Sequence, residues 1–192
     1  WGMAVFLGVY TAIELGGSGH LNPAISIGMA AFGKLDSTLL LGYVFAQMAG
    51  AFCGAVGTWA AFRMHFEATE NADRKLGVFS TSPAIRHASS NFLTELIGTF
   101  VLAFGALAAS APTSSLGALD ALPVALLVAG IGMGLGGPTG YAINPARDLG
   151  PRIAHFVLPI SGKRDSDWSY AWIPVAGPIV GALLGAGIYS LL

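Results

Sequence analysis

The chain has 192 residues, 54% of them hydrophobic and 10% charged, with 27 glycines and a formal net charge of −1. A soluble domain carries roughly 25% charged residues, so the composition excludes an ordinary soluble domain, and the absence of a basic excess excludes a nucleic-acid binder. It fits a multi-span membrane protein, in which glycine lets helices approach closely.

In chain order, Trp1 to Ile13 reads as the later part of a span, shorter than the ~20 residues a crossing needs. It lacks a basic n-region, so no cleavable signal peptide is read there. Pro23 to Phe32 is a half-length helix and Leu39 to Phe62 a full span. Cys53, in an apolar run, reads as a small core residue without a disulfide partner. The polar, mixed-charge stretch Arg63 to Ser90 predicts a long extramembrane loop. Phe92 to Ala109 is a span, Ala111 to Asp120 a short loop with Pro112, and Leu122 to Leu135 a glycine-rich span. Pro145 to Val157 is a second half-helix, Pro159 to Ser169 a polar loop centred on KRDSD, and Tyr170 to Leu192 the last span. Basic residues sit in both the 63–90 and the 160s loops, so their distribution gives no orientation.

Two matching triplets stand at the starts of the half-helices: Asn22-Pro23-Ala24 within GSGHLNPAISIGMA and Asn144-Pro145-Ala146 within GPTGYAINPARDLGPR. Asn is a good N-cap and Pro suits the first helical position, so each triplet opens a helix. Glycines crowd ahead of both (Gly16, Gly17, Gly19; Gly136, Gly137, Gly140), which predicts irregular backbone there. In lipid, such backbone is tolerated only where protein buries it or water reaches it. Two interruptions at matching places predict a pore or site where two broken helices meet.

An internal repeat supports the plan. AQMAGAFCGAV (Ala46 to Val56) and IPVAGPIVGAL (Ile173 to Leu183) share Ala-Gly-x-x-x-Gly-Ala, a small-residue packing face. The second half reads span, span, half-helix, span; the first reads span, half-helix, span. Glu95 stands 49 residues before Asn144, and the same distance before Asn22 precedes Trp1. The expectation is a chain lacking one leading span, with residues 1–62 an incomplete first repeat, 63–90 a connection and 91–192 a second repeat, all one channel domain. Halves with an odd span count are inverted, which brings the half-helices in from opposite faces.

SGHLNPA at 18–24, TELIGTF at 94–100, GYAINPARDLGPR at 140–152 and AGPIVGA at 176–182 together resemble the major intrinsic protein family, the aquaporins and glycerol facilitators. Asp148 directly after the second triplet and Arg147 resembles the glycerol-facilitator branch. The resemblance covers essentially the whole chain. It implies an all-α bundle of six spans and two re-entrant half-helices, a pore in every subunit, a homotetramer in the bilayer, and multi-pass residence in the plasma membrane, here a bacterial inner membrane. It implies no cofactor.

On that resemblance the half-helix N-termini aim at the pore centre, each worth roughly half a positive charge. Aquaporin-type pores exclude protons and cations through such ends or an arginine. The Asn22 and Asn144 amides would donate to a permeant oxygen, and the carbonyls of Ser18, Gly19, His20, Gly140, Tyr141 and Ala142 would form an acceptor ladder. A plain N-cap is the alternative for each asparagine. Arg147 takes the family's selectivity-filter position, with an ion pair to Asp148 or Glu95 as the alternative. Tyr141 and Gly132 occupy two further filter positions, the glycine leaving open room. The fourth falls on Trp1, or on Gly2 by an ungapped count. Glu95 reads as a buried acceptor for loop backbone or else a proton relay, Asp148 as structural, the His20 ring as packing, and Glu14 has no assigned role. His65, His87 and His155 have no metal-ligand spacing.

Three functions stay open. The leading one is a passive channel for glycerol, other small uncharged solutes and water. A mainly water-selective channel is the alternative within the fold, against which Gly132 speaks. An ion-coupled transporter would need a carboxylate near the pore centre, with Glu14 and Glu95 as candidates. No constellation for enzyme chemistry is visible.

Overall fold

The computed structural model describes residues 1–109 and 115–192; the predicted loop at Ala111 to Asp120 therefore lies partly outside the described residues. Every regular element among them is helical: α1 (Gly2–Glu14), α2 (Pro23–Ala31), α3 (Leu40–Ala61), α4 (Arg63–Ala68), α5 (Ala72–Phe79), α6 (Ala88–Ala109), α7 (Ala121–Thr139), α8 (Pro145–Val157) and α9 (Ile173–Tyr189), with 3-10 turns at Ser37–Leu39 and Gly117–Asp120. With their 3-10 turns, the segments Ser37–Ala61 and Gly117–Thr139, like α6, are long and apolar enough to cross a membrane; α1 and α9 are shorter apolar helices.

Two expectations are corrected. The 63–90 stretch is not simply loop, because α4 and α5 form within it, α5 capped by Asn71, whose Oδ1 accepts from Arg74 N at 3.0 Å. Helix α7 runs through Gly136, Gly137 and Pro138 to Thr139 and ends on Gly140 at φ 76°. Irregular backbone is thus confined to 140–144, since Pro138 forfeits only its own N–H and the helix closes behind it. In the first half the irregular stretch is where the glycines predict it, with Gly16 and Gly19 both at positive φ.

The packing is quasi-symmetric. Half-helix α2 lies along α9, half-helix α8 lies along α3, and α1 meets α7. The tightest seam joins α6 and α9. A Cβ on Gly177 or Gly185 would fall 2.8 Å from atoms of α6, and one on Gly181 would strike the Leu96 carbonyl. Bare glycine is what lets these two backbones touch.

Burial is inverted relative to a water-soluble protein. Glu95, Thr99, Asp148, Arg152 and His155 are fully buried, whereas Leu41, Phe45 and Met133 are 82%, 76% and 85% exposed. Apolar side chains facing outward at this density suit lipid, and polar groups inside such a protein need partners there. Cys53 is exposed on α3 and not a core residue: it follows the outward face of its helix, not the apolar run around it.

Candidate pore

Each asparagine caps its own half-helix and reaches across to the other. Asn22 and Asn144 have extended backbone (φ −141° and −158°), and each is followed by proline in the first helical turn. Asn22 Oδ1 accepts from Ala24 N at 3.0 Å; Asn144 Oδ1 accepts from Ala146 N at 2.9 Å and Arg147 N at 3.3 Å. Asn22 Nδ2 donates to Ile143 O at 2.8 Å, and Asn144 Nδ2 donates to Leu21 O at 3.0 Å. This cross-pairing puts both half-helix N-termini at one place, with Pro23, Ala24, Pro145 and Ala146 buried behind them. An amide nitrogen carries two N–H bonds, so the cross-pair leaves each asparagine a second donor, and both residues line one cavity.

The loop before the second triplet is strained and held. Tyr141 and Ile143 lie at φ 40° and 44°, a region that costs an L-residue roughly 1–2 kcal/mol each. Glu95 on α6 receives the exposed N–H groups: Ala142 N donates to Oε1 at 2.9 Å and Ile143 N to Oε2 at 2.7 Å. Successive N–H groups turned this way make a small anion nest, and the carboxylate fills it. In the first loop the ties are neutral. Gln47 Nε2 donates to His20 O at 2.9 Å and to Ser26 Oγ at 2.9 Å; Ser18 Oγ and Tyr43 OH are 2.6 Å apart. The His20 ring sits 3.3 Å from Ser26 Oγ and against the Tyr43 ring.

Trp1, Tyr141 and Arg147 share the wall of the cavity. The Arg147 guanidinium lies over the Trp1 ring, 4.4 Å from its centre, a cation–π contact. Gly2 instead faces α7, where a Cβ would fall 2.6 Å from Ala125 O; the ungapped count to Gly2 is therefore displaced by one residue. The open room expected at Gly132 is taken. A Cβ there would stand 2.8 Å from Tyr141 Cζ, and one on Gly136 would stand 2.9 Å from Tyr141 Cδ1. The two glycines seat the Tyr141 ring, so Gly132 shapes the wall from behind it.

The cavity measures about 350 Å³, and its wall includes Trp1 and Arg147, both asparagines, Asp120 and Ala121. Ser18, Gly19, His20, Tyr141 and Ala142 are on its wall, together with apolar side chains such as Val5, Val9 and Val128. Gly140 is not among its lining residues: as the left-handed end of α7 it turns toward Thr81. Asp120, which the sequence did not single out, is also on the wall and accepts from Ser115 Oγ at 2.6 Å and Leu116 N at 3.1 Å. Its signal was the position just before an apolar span, a helix-start signature. Glu14 ends α1, exposed and outside the cavity lining.

Arg147 takes part in none of the ion pairs among the described residues; Asp148 pairs with Arg152, fully buried, at 2.8 Å. Arg152 also donates to the carbonyls of Ser166 at 2.7 Å, Asp167 at 3.1 Å and Thr81 at 3.0 Å. Nearby, burial alone would raise the Asp167 carboxyl, but the Arg86 hydrogen bond and charge outweigh it and hold the carboxyl below the usual carboxylate range. Among the described residues no cluster of His, Cys, Asp or Glu could hold a metal ion.

The sequence pattern of the family described as major intrinsic protein matches residues 1–189. The chain is 50% identical over 192 residues to a protein of Thermotoga maritima named probable glycerol uptake facilitator protein, covering all of this chain and 81% of that one. It is 49% identical over 191 residues to the glycerol uptake facilitator protein of Streptococcus pneumoniae, covering all of this chain and 81% of that one. Among solved structures, the aquaglyceroporin from Plasmodium falciparum superposes with a TM-score of 0.83 at 31% identity, covering 98% of this chain and 78% of that one.

Proposed function

The chain belongs to the major intrinsic protein family, and we propose on that premise that it is a passive membrane channel for glycerol and other small uncharged solutes, and for water, that rejects protons and ions. The observation that carries the reading is that Trp1, with the Arg147 guanidinium over its ring, shares one cavity with Tyr141 and both asparagines. An indole and a phenol ring give an apolar corner for a carbon backbone. The guanidinium gives donors for hydroxyls on the other side. A polyol is matched on both sides at once.

Further in, the second N–H of Asn22 and of Asn144 donates to the permeant oxygen. A water held by two donors turns its own hydrogens away from them, so a chain of waters is broken in direction at that point. The half-helix ends add roughly 0.5 positive charge each, and Arg147 adds a full one, so a cation meets opposing charge at two depths. Carbonyls of Ser18, Gly19 and His20 on one approach, and of Tyr141 and Ala142 on the other, accept from the solute between these points. Glu95 and Asp148 act structurally, the first by filling the loop nest and the second by pairing with Arg152. Neither carboxylate is turned to the solute, which disfavours an ion-coupled mechanism. A water-selective pore would need a tighter filter than two rings and one guanidinium provide.

The outward apolar faces and the bacterial relatives support residence in a bacterial plasma membrane, and the resemblance of the whole chain supports a homotetramer with a pore in each subunit. The residues 1–62 and 91–192 act as the two inverted repeats of one channel domain. Proteoliposomes containing the protein are expected to swell in an inward glycerol gradient far faster than protein-free vesicles. Swelling with water alone, at the protein-free glycerol rate, would replace the glycerol channel by a water channel.

A further inference from the structure

Thr81 lies between α5 and α6, buried, and is not on the cavity wall. It nevertheless stands between the two turns that carry Tyr141 and Arg147. Its backbone N–H and its Oγ1 both donate to Asp148 Oδ2, at 2.7 and 2.6 Å. Asp148 is the neighbour of Arg147 in the first turn of α8. On its other side the Thr81 methyl faces Gly140, where a Cβ would stand 3.4 Å from Thr81 Cγ2. Gly140 in turn sets the backbone that delivers Tyr141. Three residues on, Ala84 N donates to Pro138 O at 2.9 Å, fixing the same segment to the end of α7. Arg152 closes the arrangement through Thr81 O.

We propose that Thr81 is a positioning residue that fixes the width of the filter from outside the pore, by spacing the Gly140–Tyr141 turn from the Asp148–Arg147 turn. The proposal rests on the channel reading above. Tyr141 follows directly on the left-handed Gly140, and Arg147 directly precedes Asp148 and has no ion-pair partner among the described residues, so the spacing of the two turns sets the distance between the two side chains. The group that joins them is a hydroxyl–carboxylate hydrogen bond, which is short and directional. Loss of that bond lets the two turns drift apart, and a site held looser than about half an ångström loses discrimination.

The test compares Thr81→Val, which keeps the shape against Gly140 and removes the hydroxyl, with Thr81→Ser, which keeps the hydroxyl. Permeabilities of glycerol and of a four-carbon polyol are measured on the same proteoliposomes, and their ratio is independent of how much protein inserts. A residue that merely supported folding would lower both fluxes together and leave the ratio alone. Thr81→Val is expected to raise the four-carbon-to-glycerol ratio about threefold or more, as expected for a filter loosened beyond its tolerance, and Thr81→Ser to stay at the wild-type ratio. An unchanged ratio in Thr81→Val, or an equal rise in Thr81→Ser, overturns the proposal. Should Thr81→Val fail to reach the membrane, Thr81→Ala, which lacks the same hydroxyl, has to show the rise. Wild-type vesicles that pass only water would defeat the glycerol reading separately; Thr81 would then be judged by whether Thr81→Val newly admits glycerol, and a variant that still excludes it overturns the proposal.

Discussion

Arg147 stands over an aromatic face and makes none of the ion pairs among the described residues, so in the proposed channel its charge would act on a solute passing it. Arg147→Ala is expected to widen the filter and to raise proton leak under an applied voltage modestly, since the half-helix ends remain; a voltage-clamped or dye-loaded vesicle assay reads this, and an unaltered leak with unaltered solute preference would move the barrier elsewhere. Gly132→His is expected to lower glycerol flux about tenfold or more while water flux falls less, because the imidazole would occupy the seat of the Tyr141 ring and push that ring into the pore. Stopped-flow light scattering measures both, and equal losses would mean a general folding defect. The two asparagines were legible as helix caps because Asn-Pro marks a helix start, whereas Arg147 and Tyr141 were singled out only through the family resemblance, and the structure places both on the wall of one cavity. Gly132 was legible as a place and misread as a space: a glycine says that something comes close, not what. Here it is an aromatic ring. The choice between Trp1 and Gly2 was likewise closed only by packing, since Gly2 is wanted bare against the Ala125 carbonyl.

At the scale of elements, the half-helices were the most legible because proline and asparagine mark their starts in covalent terms. Their ends agree with the sequence reading to within a residue. The end of α7 was not legible, since Gly136, Gly137 and Pro138 discourage a helix locally and the ring of Tyr141 rewards one by packing on it. Helix α5 was hidden in a polar stretch, although Asn71 with Asp73 in the first turn is an N-cap signal. The repeat Ala-Gly-x-x-x-Gly-Ala read correctly as a packing face in α9. Its copy in α3 meets nothing within 4 Å at Gly50 and Gly54, whereas Gly177 and Gly181 press on α6. The α9 seam gives a test. Gly181→Val would drive a branched side chain into the Leu96 carbonyl and should destabilise the fold by about 1–3 kcal/mol or more, seen as a lowered thermal midpoint in detergent. The same change at Gly77, exposed on α5 with open space beside it, should leave that midpoint nearly unmoved. Equal effects at the two sites would contradict the asymmetry.

Across the whole molecule, segments far apart in sequence are joined by buried polar groups, because apolar side chains have lipid to face and polar ones do not. Glu95 binds α6 to the 142–143 backbone. Asp148 and Arg152 join α8 to Thr81 and to the 166–167 carbonyls. Sequence could mark these residues as charges within apolar surroundings but not their partners, which lie up to 71 residues away. The Asp148–Arg152 pair is completely buried, and breaking such a pair from one side strands a charge, at a cost of about 3–5 kcal/mol, whereas replacing both by apolar groups of similar size is often neutral. Arg152→Met should therefore lower the thermal midpoint steeply. In a simple buried pair, the double change Asp148→Leu with Arg152→Met would recover most of it. Here it should recover only part, because Thr81 N–H and Oγ1 and the carbonyls of Ser166 and Asp167 lose their partners in the double variant. The measurement is the thermal midpoint of wild type, both single variants and the double in the same detergent. Full recovery would show that the surrounding donors and acceptors find other partners, so that the ion pair alone ties the three segments. Partial recovery, with glycerol selectivity still impaired in the double, would show that the hydrogen bonds around the pair, and not its charges, set the geometry on which the filter rests.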